Sequence, residues 1–172
     1  MDDKHIKQAE NWRDKLLKAS RTLGIAVIST KDRDGNQIDA YPEVGHAPFV
    51  HLDGRFYIYA SHLSAHVRAM IENQPVLFFL VVDETHSQNI WARVRLKFSA
   101  EIKELFREDE RFNLILNEIG AQHGPVMDMI RNFSDFHLFE ITPQKGVLVT
   151  GFAAAFDVAG PEFELVRHLR QG

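Results

Sequence analysis

Side chains capable of chemistry are concentrated in residues 61–70, which read "SHLSAHVRAM". The stretch contains two serines, two histidines and one arginine, and the candidate site residues among them are Ser61, His62, His66 and Arg68. Hydroxyl, imidazole and guanidinium groups donate hydrogen bonds to phosphates and carboxylates. Histidines four residues apart on a helix can also bind a metal ion. The stretch therefore indicates an anion cradle (a turn whose donors surround an anionic group), a metal site on the two histidines, or only a capped helix.

The flanking residues place this stretch between a strand and a short helix. The preceding "RFYIYA" alternates with period two, as strands do, and "VLFFLVV" begins another strand after Gln74-Pro75. The predicted helix spans residues 64–73, with Ser64 as a suitable N-cap. A helix N-terminus presents free backbone N–H groups and a positive dipole end. We favour the anion cradle, because no nearby carboxylate or third histidine completes a zinc ligand set.

A second concentration of cations lies in residues 90–103, "IWARVRLKFSAEIK". Alternate residues are apolar, so the pattern predicts a strand with one face in the core. The other face would carry Trp91, Arg93, Arg95 and Lys97. Like charges about 6.6 Å apart repel one another unless they are solvated or hold an anion. This face is therefore a solvated basic surface or a ladder for phosphate or carboxylate groups, and Trp91 offers a flat surface to a planar cofactor or a second subunit.

The composition excludes several classes of protein. The 172 residues include no cysteine, which excludes disulfides, thiolate zinc sites and cysteine nucleophiles. A net charge of −4 argues against nucleic acid as a partner. The longest apolar run, Val76 to Val82, is far shorter than the ~20 residues of a membrane helix. The opening "MDDKH" shows no secretory signal, so we expect a cytoplasmic protein without membrane association.

Short predicted strands separated by turn signals cover most of the chain. Asp-Gly pairs at Asp34-Gly35 and Asp53-Gly54 predict hairpin turns. Helices are expected over 3–20, 108–119 and 125–133, and late strands over 135–142 and 146–157. Gly120 is the expected C-cap of the second of these helices. The pattern predicts a closed or half-closed antiparallel barrel with helical caps, of class α+β and mainly β.

The order of several segments resembles one known family. The segments "TLGIAVIST", "YPEVGHAPFV", "FYIYASHLSAHVRAM", "WARVRLKF" and "DFHLFEITPQKGVLVTGFAAAFDV" resemble the HugZ/HutZ group of haem-utilisation proteins, within the pyridoxamine-5′-phosphate-oxidase-like, FMN-binding split-barrel superfamily. The resemblance implies a six- to eight-stranded antiparallel split β-barrel with flanking helices. It also implies a homodimer with two cofactor sites at the subunit interface. We expect a single domain over 1–172, with an N-terminal helix (1–20), a barrel (21–157) and a C-terminal tail (158–172).

The resemblance also implies which residues bind the cofactor. In flavin-binding relatives, the turn containing Ser61 and a basic strand hold the FMN phosphate, and in the haem-using branch similar positions face the haem. Asp135, in "SDFHLF", matches an acidic position close to the proximal side of the haem. The implied cofactor-binding residues are Ser61, His62, His66, Arg68, Arg93, Arg95 and Asp135, and Trp91 joins them from the pattern of residues 90–103.

The tail carries the expected iron ligand. In the family the axial histidine lies in a C-terminal pattern resembling H-L-x-x-G-H. Here "HLRQG" begins at His168 and reaches Gly172 without the second histidine of that pattern. His168 is therefore the tail residue that we expect to ligate the haem iron.

The resemblance implies a haem-binding, haem-degrading protein of the oxygenase type, active in iron acquisition and served by a small-molecule or protein electron donor. One alternative is an FMN-binding oxidoreductase similar to pyridoxamine 5′-phosphate oxidase. Another is a non-catalytic carrier of haem or flavin. The residue types do not separate these functions, because haem propionates and the FMN phosphate require the same donors.

Overall fold

The computed structural model describes residues 3–169, in which eight strands, four α-helices and two 3₁₀ turns are found. The helices are α1 (Asp3–Ala19), α2 (Ala65–Ile71), α3 (Phe112–His123) and α4 (Val126–Ile130). The strands are β1 (Thr22–Lys31), β2 (Gln37–Leu52), β3 (Arg55–Ser61), β4 (Val76–Val81), β5 (Arg95–Leu105), β6 (Phe136–Gly151), β7 (Ala154–Ala159) and β8 (Glu164–Leu169). The 3₁₀ turns are Glu84–His86 and Ile90–Ala92.

The strands form one antiparallel sheet that closes on itself. Their order is β3-β2-β1-β4-β5-β6-β7-β8, and β3 also pairs with β6. Six strands, β1 to β6, therefore form a ring, and β7 and β8 extend the sheet beyond the point of closure. This arrangement confirms the predicted α+β, mainly β class and the six- to eight-stranded antiparallel split barrel with flanking helices. The assignment of residues 1–172 to a single domain stays a prediction.

Two hairpin turns follow from local turn chemistry. The Asp32 carboxylate accepts hydrogen bonds from the backbone N–H groups of Asp34 and Asn36, and Gly35 has a φ of 82°. Between β2 and β3, Asp53 and Gly54 have φ values of 49° and 74°. Left-handed backbone of this kind favours Gly, Asn and Asp. Both Asp-Gly turns predicted from the sequence are confirmed.

The hydrophobic residues form two clusters on opposite faces of the ring. The alternation of β3 sends Phe56 and Ile58 into the barrel, where they join a cluster that includes Phe98. The same alternation sends Tyr57 and Tyr59 outward into a second cluster. Its other buried members are Val50, Leu105, Phe112, Ile115, Leu116, Ile119, Met127 and Leu138. Strand β3 therefore has a covered face on each side.

One buried charge ties α3 to the barrel. Glu140 on β6 is 9% exposed, and it accepts hydrogen bonds from the Tyr57 hydroxyl (2.8 Å) and the Arg111 guanidinium (2.6 Å). Burial alone would raise the pKa of Glu140, but these two donors outweigh it and the pKa is lowered. The pKa of Tyr57 is raised to about 12, chiefly by burial and then by its bond to Glu140. The pair therefore satisfies a polar group inside the second cluster.

The predicted strand over 90–103 was wrong at its start. Residues 90–92 form a 3₁₀ turn because the Asn89 side chain accepts a hydrogen bond from the Trp91 N–H (3.0 Å), and β5 begins only at Arg95. Trp91 is 81% exposed. Trp91 and Arg93 therefore do not share a strand face with Arg95 and Lys97, although the inward alternation holds from residue 94 onward.

Other boundaries also differ from the predictions, and α3 begins at Phe112 where the sequence predicted residue 108. Gly120 lies inside α3, and Gly124, with a φ of 100°, is its C-cap. Strand β6 runs unbroken through residues 143–145, where a bulge inserts the extra residue Gln144 of β6 between the partners of Ser99 and Ala100. The turn comes later, at residues 152–153. The predicted tail contains β8, which pairs with β7, while residues 170–172 lie outside the described part of the chain.

Candidate functional site

The pairing of β3 with β6 brings the turn after β3 against the start of β6. Ser61 is the register partner of Phe136. The His62 N–H donates to the Asp135 carbonyl (2.8 Å), and the Ser61 hydroxyl donates to the Asp135 carboxylate (2.5 Å). The same hydroxyl oxygen accepts a hydrogen bond from the Leu63 N–H (3.1 Å). Ser61, His62 and Asp135, which the sequence placed in one site, are therefore joined directly.

The His62 side chain belongs to a hydrogen-bonded chain of three residues. Its Nδ1 lies 2.8 Å from Nε2 of His137, and Nδ1 of His137 lies 2.6 Å from the Glu104 carboxylate. His137 and Glu104 each expose 21% of their side chains. We call these residues the Glu104–His137–His62 chain. It spans β5, β6 and the turn after β3, so that closure of the barrel assembles it.

Arg68 holds the turn together. Its Nη1 donates to the carbonyl oxygens of His62 (2.9 Å) and Leu63 (3.0 Å). Its Nε is buried and has no hydrogen-bond partner among residues 3–169. Ser64 occupies the N-cap position of α2, but its side chain makes no capping hydrogen bond. In the predicted cradle, Arg68 therefore already donates hydrogen bonds to two carbonyl groups of the turn itself.

His66 lies apart from His62. Its imidazole packs on β2, where a Cβ added at Gly45 would overlap the ring. Burial lowers the pKa of His66, and the neighbouring Glu43 partly opposes this effect. The two histidines do not converge on a shared point. Within residues 3–169, no group of three or more His, Cys, Asp or Glu side chains is arranged to hold a metal ion.

The basic residues are partly occupied by neighbours. Nε of Arg93 donates to the Val82 carbonyl (2.7 Å), and its Nη1 pairs with the Glu84 carboxylate (3.0 Å). Nη1 of Arg95 donates to the Arg93 carbonyl (3.0 Å), and no carboxylate of the described residues forms a salt bridge with Arg95. Arg95 is therefore the better candidate for binding an anion.

Within one chain, the turn after β3 and the basic residues Arg93 and Arg95 lie toward opposite ends of β6. Ser61 pairs with Phe136, whereas Arg95 pairs with Val149. These partners are 13 residues apart (149 minus 136), or roughly 40 Å along the strand at about 3.3 Å per residue. The turn and the basic residues of one chain are therefore separated along the sheet.

His168 lies at the Arg95 end. It pairs with Phe156, which in turn pairs with Leu148 on β6. Its Nε2–H donates to the Ala153 carbonyl (2.9 Å), and its ring stacks on Phe156 with centroids 4.7 Å apart. Because Nε2 carries the proton in this bond, the lone pair of the neutral ring is on Nδ1.

Sequence reasoning missed two of the residues that build the site. Neither Glu104 nor His137 was among the site residues expected from the sequence. The signal was present in "FHLFEI", where His137 lies on the same strand face as Phe139 and Ile141, both of which face the barrel interior. A polar residue at the end of such an inward row needs a polar partner.

This fold and this arrangement of residues define a class of protein. Residues 13–150 match the family model described as pyridoxamine 5′-phosphate oxidase, and the chain belongs to this family. The chain is 30% identical over 152 residues to the heme oxygenase HutZ of Vibrio cholerae, covering 88% of this chain and 82% of that protein. The expected kinship with the haem-utilisation group is therefore confirmed.

Solved structures agree with this assignment. The crystal structure of HutZ from Vibrio cholerae, there described as a heme storage protein, matches with a TM-score of 0.67 and 27% identity, over 87% of this chain and 94% of that one. The crystal structure of Campylobacter jejuni ChuZ matches with a TM-score of 0.76 and 24% identity, over 96% of this chain and 65% of that one, and it supports the fold. No helix within residues 3–169 is long and apolar enough to cross a membrane.

Proposed function

We propose that this chain binds haem and degrades it oxidatively in iron acquisition, as a cytoplasmic homodimer and an oxidoreductase of the oxygenase type. The similarity to HutZ supports this function, because one description of that protein is heme oxygenase. The electron donor would be a small molecule or a protein. The other description, heme storage protein, supports the carrier alternative. The family match supports the alternative of an FMN-dependent oxidoreductase.

The hydrogen bond between Ser61 and Asp135 favours haem over FMN. In a phosphate cradle the serine hydroxyl would donate to the phosphate, but here it donates to the Asp135 carboxylate at 2.5 Å. A phosphate dianion at this hydroxyl would meet a like charge at contact distance, which is unfavourable. Arg68, the nearest cation of the turn, is engaged by two carbonyl groups. The turn therefore suits the neutral or cationic part of a ligand better than a dianion.

The side chains of this protein that could bind haem lie toward both ends of β6, so the proposed site combines residues of two subunits. Arg95 and Arg93 would hold the propionates, and His168 would ligate the iron. Ser61, His62, Arg68 and Asp135 would line the site, and Trp91 would offer its flat surface. His66, which packs on Gly45 of β2, lies apart from these residues. Leu63, beside His62, is 64% exposed and suits an apolar ring. When bound, haem supplies the iron that activates oxygen, and the protein supplies orientation, anchors and proton donors or acceptors.

A spectroscopic experiment tests this function. We expect the purified protein to develop a Soret band on titration with haemin and to lose it when ascorbate is added under oxygen. A Soret band that persists under these conditions would indicate a carrier. A flavin spectrum in the protein as purified, without haemin binding, would contradict the haem assignment in favour of FMN.

The outer face of β2, β1 and β4 supports the homodimer. Val44, Leu77 and Phe79 lie on this face, and they are 78%, 44% and 40% exposed. Ala26 of β1 pairs with both Val44 and Leu77, so these side chains lie side by side across the sheet. A contiguous exposed apolar patch marks an interaction surface. A second copy of the chain is its expected occupant, because one chain separates the two halves of the site.

We expect light scattering to give the mass of two 19.8-kDa chains at micromolar concentration. Val44→Asp should give a monomer, because a carboxylate buried in the interface would be desolvated without a partner. Val126→Asp is the matched control, since Val126 is also exposed (58%) but lies on α4. A monomeric wild type would rule out the two-chain site as well as the dimer.

A further inference from the structure

The hydrogen bonds of the Glu104–His137–His62 chain fix the positions of its protons. A carboxylate only accepts, so Nδ1 of His137 donates to Glu104 across their 2.6 Å contact. In a neutral His137 the Nε2 is then an acceptor, and Nδ1 of His62 must donate to it across 2.8 Å. His62 is therefore left with an unprotonated Nε2. No hydrogen-bond partner of this atom is found among residues 3–169.

The Glu104–His137–His62 chain runs from the end of the barrel interior to the candidate site. Glu104 is two residues after Ile102, which packs against the interior cluster, and His137 is two residues before Phe139 of that cluster. Two other charged groups face the turn, the Arg68 guanidinium and the Asp135 carboxylate. Arg68 is bonded to the His62 carbonyl, and Asp135 to the Ser61 hydroxyl. Glu104 is therefore the carboxylate that is bonded to the imidazole chain.

We propose that these three residues form a proton relay serving the cofactor site, with Glu104 and His137 as positioning residues for His62. A proton that arrives at Nε2 of His62 forms an N–H bond there, and the Nδ1 proton of His62 passes to Nε2 of His137. His62 remains neutral with its proton on Nε2. His137 becomes an imidazolium whose charge is compensated by the Glu104 carboxylate. Proton delivery to the site runs the same two transfers in reverse.

The relay deepens the proposed function and rests on it for its role in haem chemistry. Its physical advantage is that His62 can accept or donate a proton at the ligand without carrying a charge itself. The positive charge appears one residue away, next to a carboxylate, where it is stabilised. A general acid or base positioned in this way contributes about 10²- to 10⁴-fold to a rate.

The proton positions can be measured without any cofactor. We expect long-range ¹H–¹⁵N NMR of the full-length protein at pH 8 to show that His62 carries its proton on Nδ1 and that its Nε2 is unprotonated. Glu104→Leu removes the acceptor and should give His62 a mixture of both tautomers. Glu104→Gln keeps an acceptor oxygen and should restore the wild-type tautomer. A wild-type His62 with its proton on Nε2 would overturn the proposal.

The charge of Glu104 is tested separately in the haem reaction. Glu104→Gln should slow ascorbate-driven haem loss by roughly tenfold or more, because the imidazolium loses its counter-charge, while haemin affinity stays the same. Glu101→Gln is the matched control, because Glu101 is on the same strand and exposed. A rate for Glu104→Gln equal to that of the wild type would overturn the proposal. If the protein degrades no haem at all, the proposed function fails, but the NMR result still decides whether the relay exists.

Discussion

Replacing His168 with alanine is expected to remove most of the haem affinity, by at least about a hundredfold. Loss of a hydrogen-bond partner of a metal ligand already costs 10- to 100-fold, and loss of the ligand itself should cost more. An iron ligand must present an unprotonated nitrogen, which in His168 is Nδ1 while Nε2 bonds to Ala153. Haemin titration and the ferric absorption spectrum are the measurements. FMN binding, which needs no iron ligand, should be unchanged.

Arg95→Ala is expected to differ from His168→Ala in its effect on FMN binding. It should weaken haem and FMN alike, since a guanidinium binds propionate and phosphate by the same fork geometry. Arg93→Ala should have a smaller effect, because Glu84 already pairs with that guanidinium. If His168→Ala leaves both the titration and the ferric spectrum unaltered, the axial role of His168 is wrong. The FMN alternative then becomes the leading hypothesis.

Gly146→Ala is expected to destabilise the fold by about 1–3 kcal/mol. A Cβ at Gly146 would overlap the carbonyl oxygen of Lys97 and lie 2.8 Å from the Cβ of Phe98. These contacts are with backbone and with a buried side chain, so relief requires the β5–β6 pairing to shift. Urea denaturation followed by circular dichroism measures the free energy of unfolding.

The matched control for this substitution is Gly151→Ala. It is on the same strand, and the nearest atom to its added Cβ is 3.9 Å away. Its stability should stay within about 0.5 kcal/mol of the wild type. If the two variants were equally stable, the close approach of Lys97 to Gly146 in β6 would be wrong.

Much of the fold could be predicted because its signals are local. The alternation of residues 55–60 and the Asp-Gly pairs each depend on a few adjacent residues. The prediction failed at Ile90–Ala92, where apolar residues alternate but the Asn89 side chain bends the backbone into a 3₁₀ turn. Period-two hydrophobicity does not distinguish a strand from an exposed turn that happens to alternate.

The site was harder to predict, because its contacts join residues far apart in the sequence. Ser61 and Asp135 could be placed together by the family resemblance, and the structure joins them by a hydrogen bond across 74 positions. The contact of His62 with His137 spans 75 positions, and it depends on the register between β3 and β6. No local pattern specifies that register. Arg93 and Arg95 were assigned to the same site, but the chain places them toward the far end of β6.

The pairing of β3 with β6 is the seam that closes the barrel, and it also affects how the protein folds. The other neighbours of β3 and β6 lie closer in sequence, but this pairing closes a long loop, which carries a high entropic cost. The Ser61–Asp135 and His62–His137 hydrogen bonds both cross the seam. A local opening there would abolish the site while most hairpins stay intact, and it would expose two strand edges to pairing with other chains. Protection of these amides from hydrogen exchange would therefore report ligand competence and resistance to aggregation together.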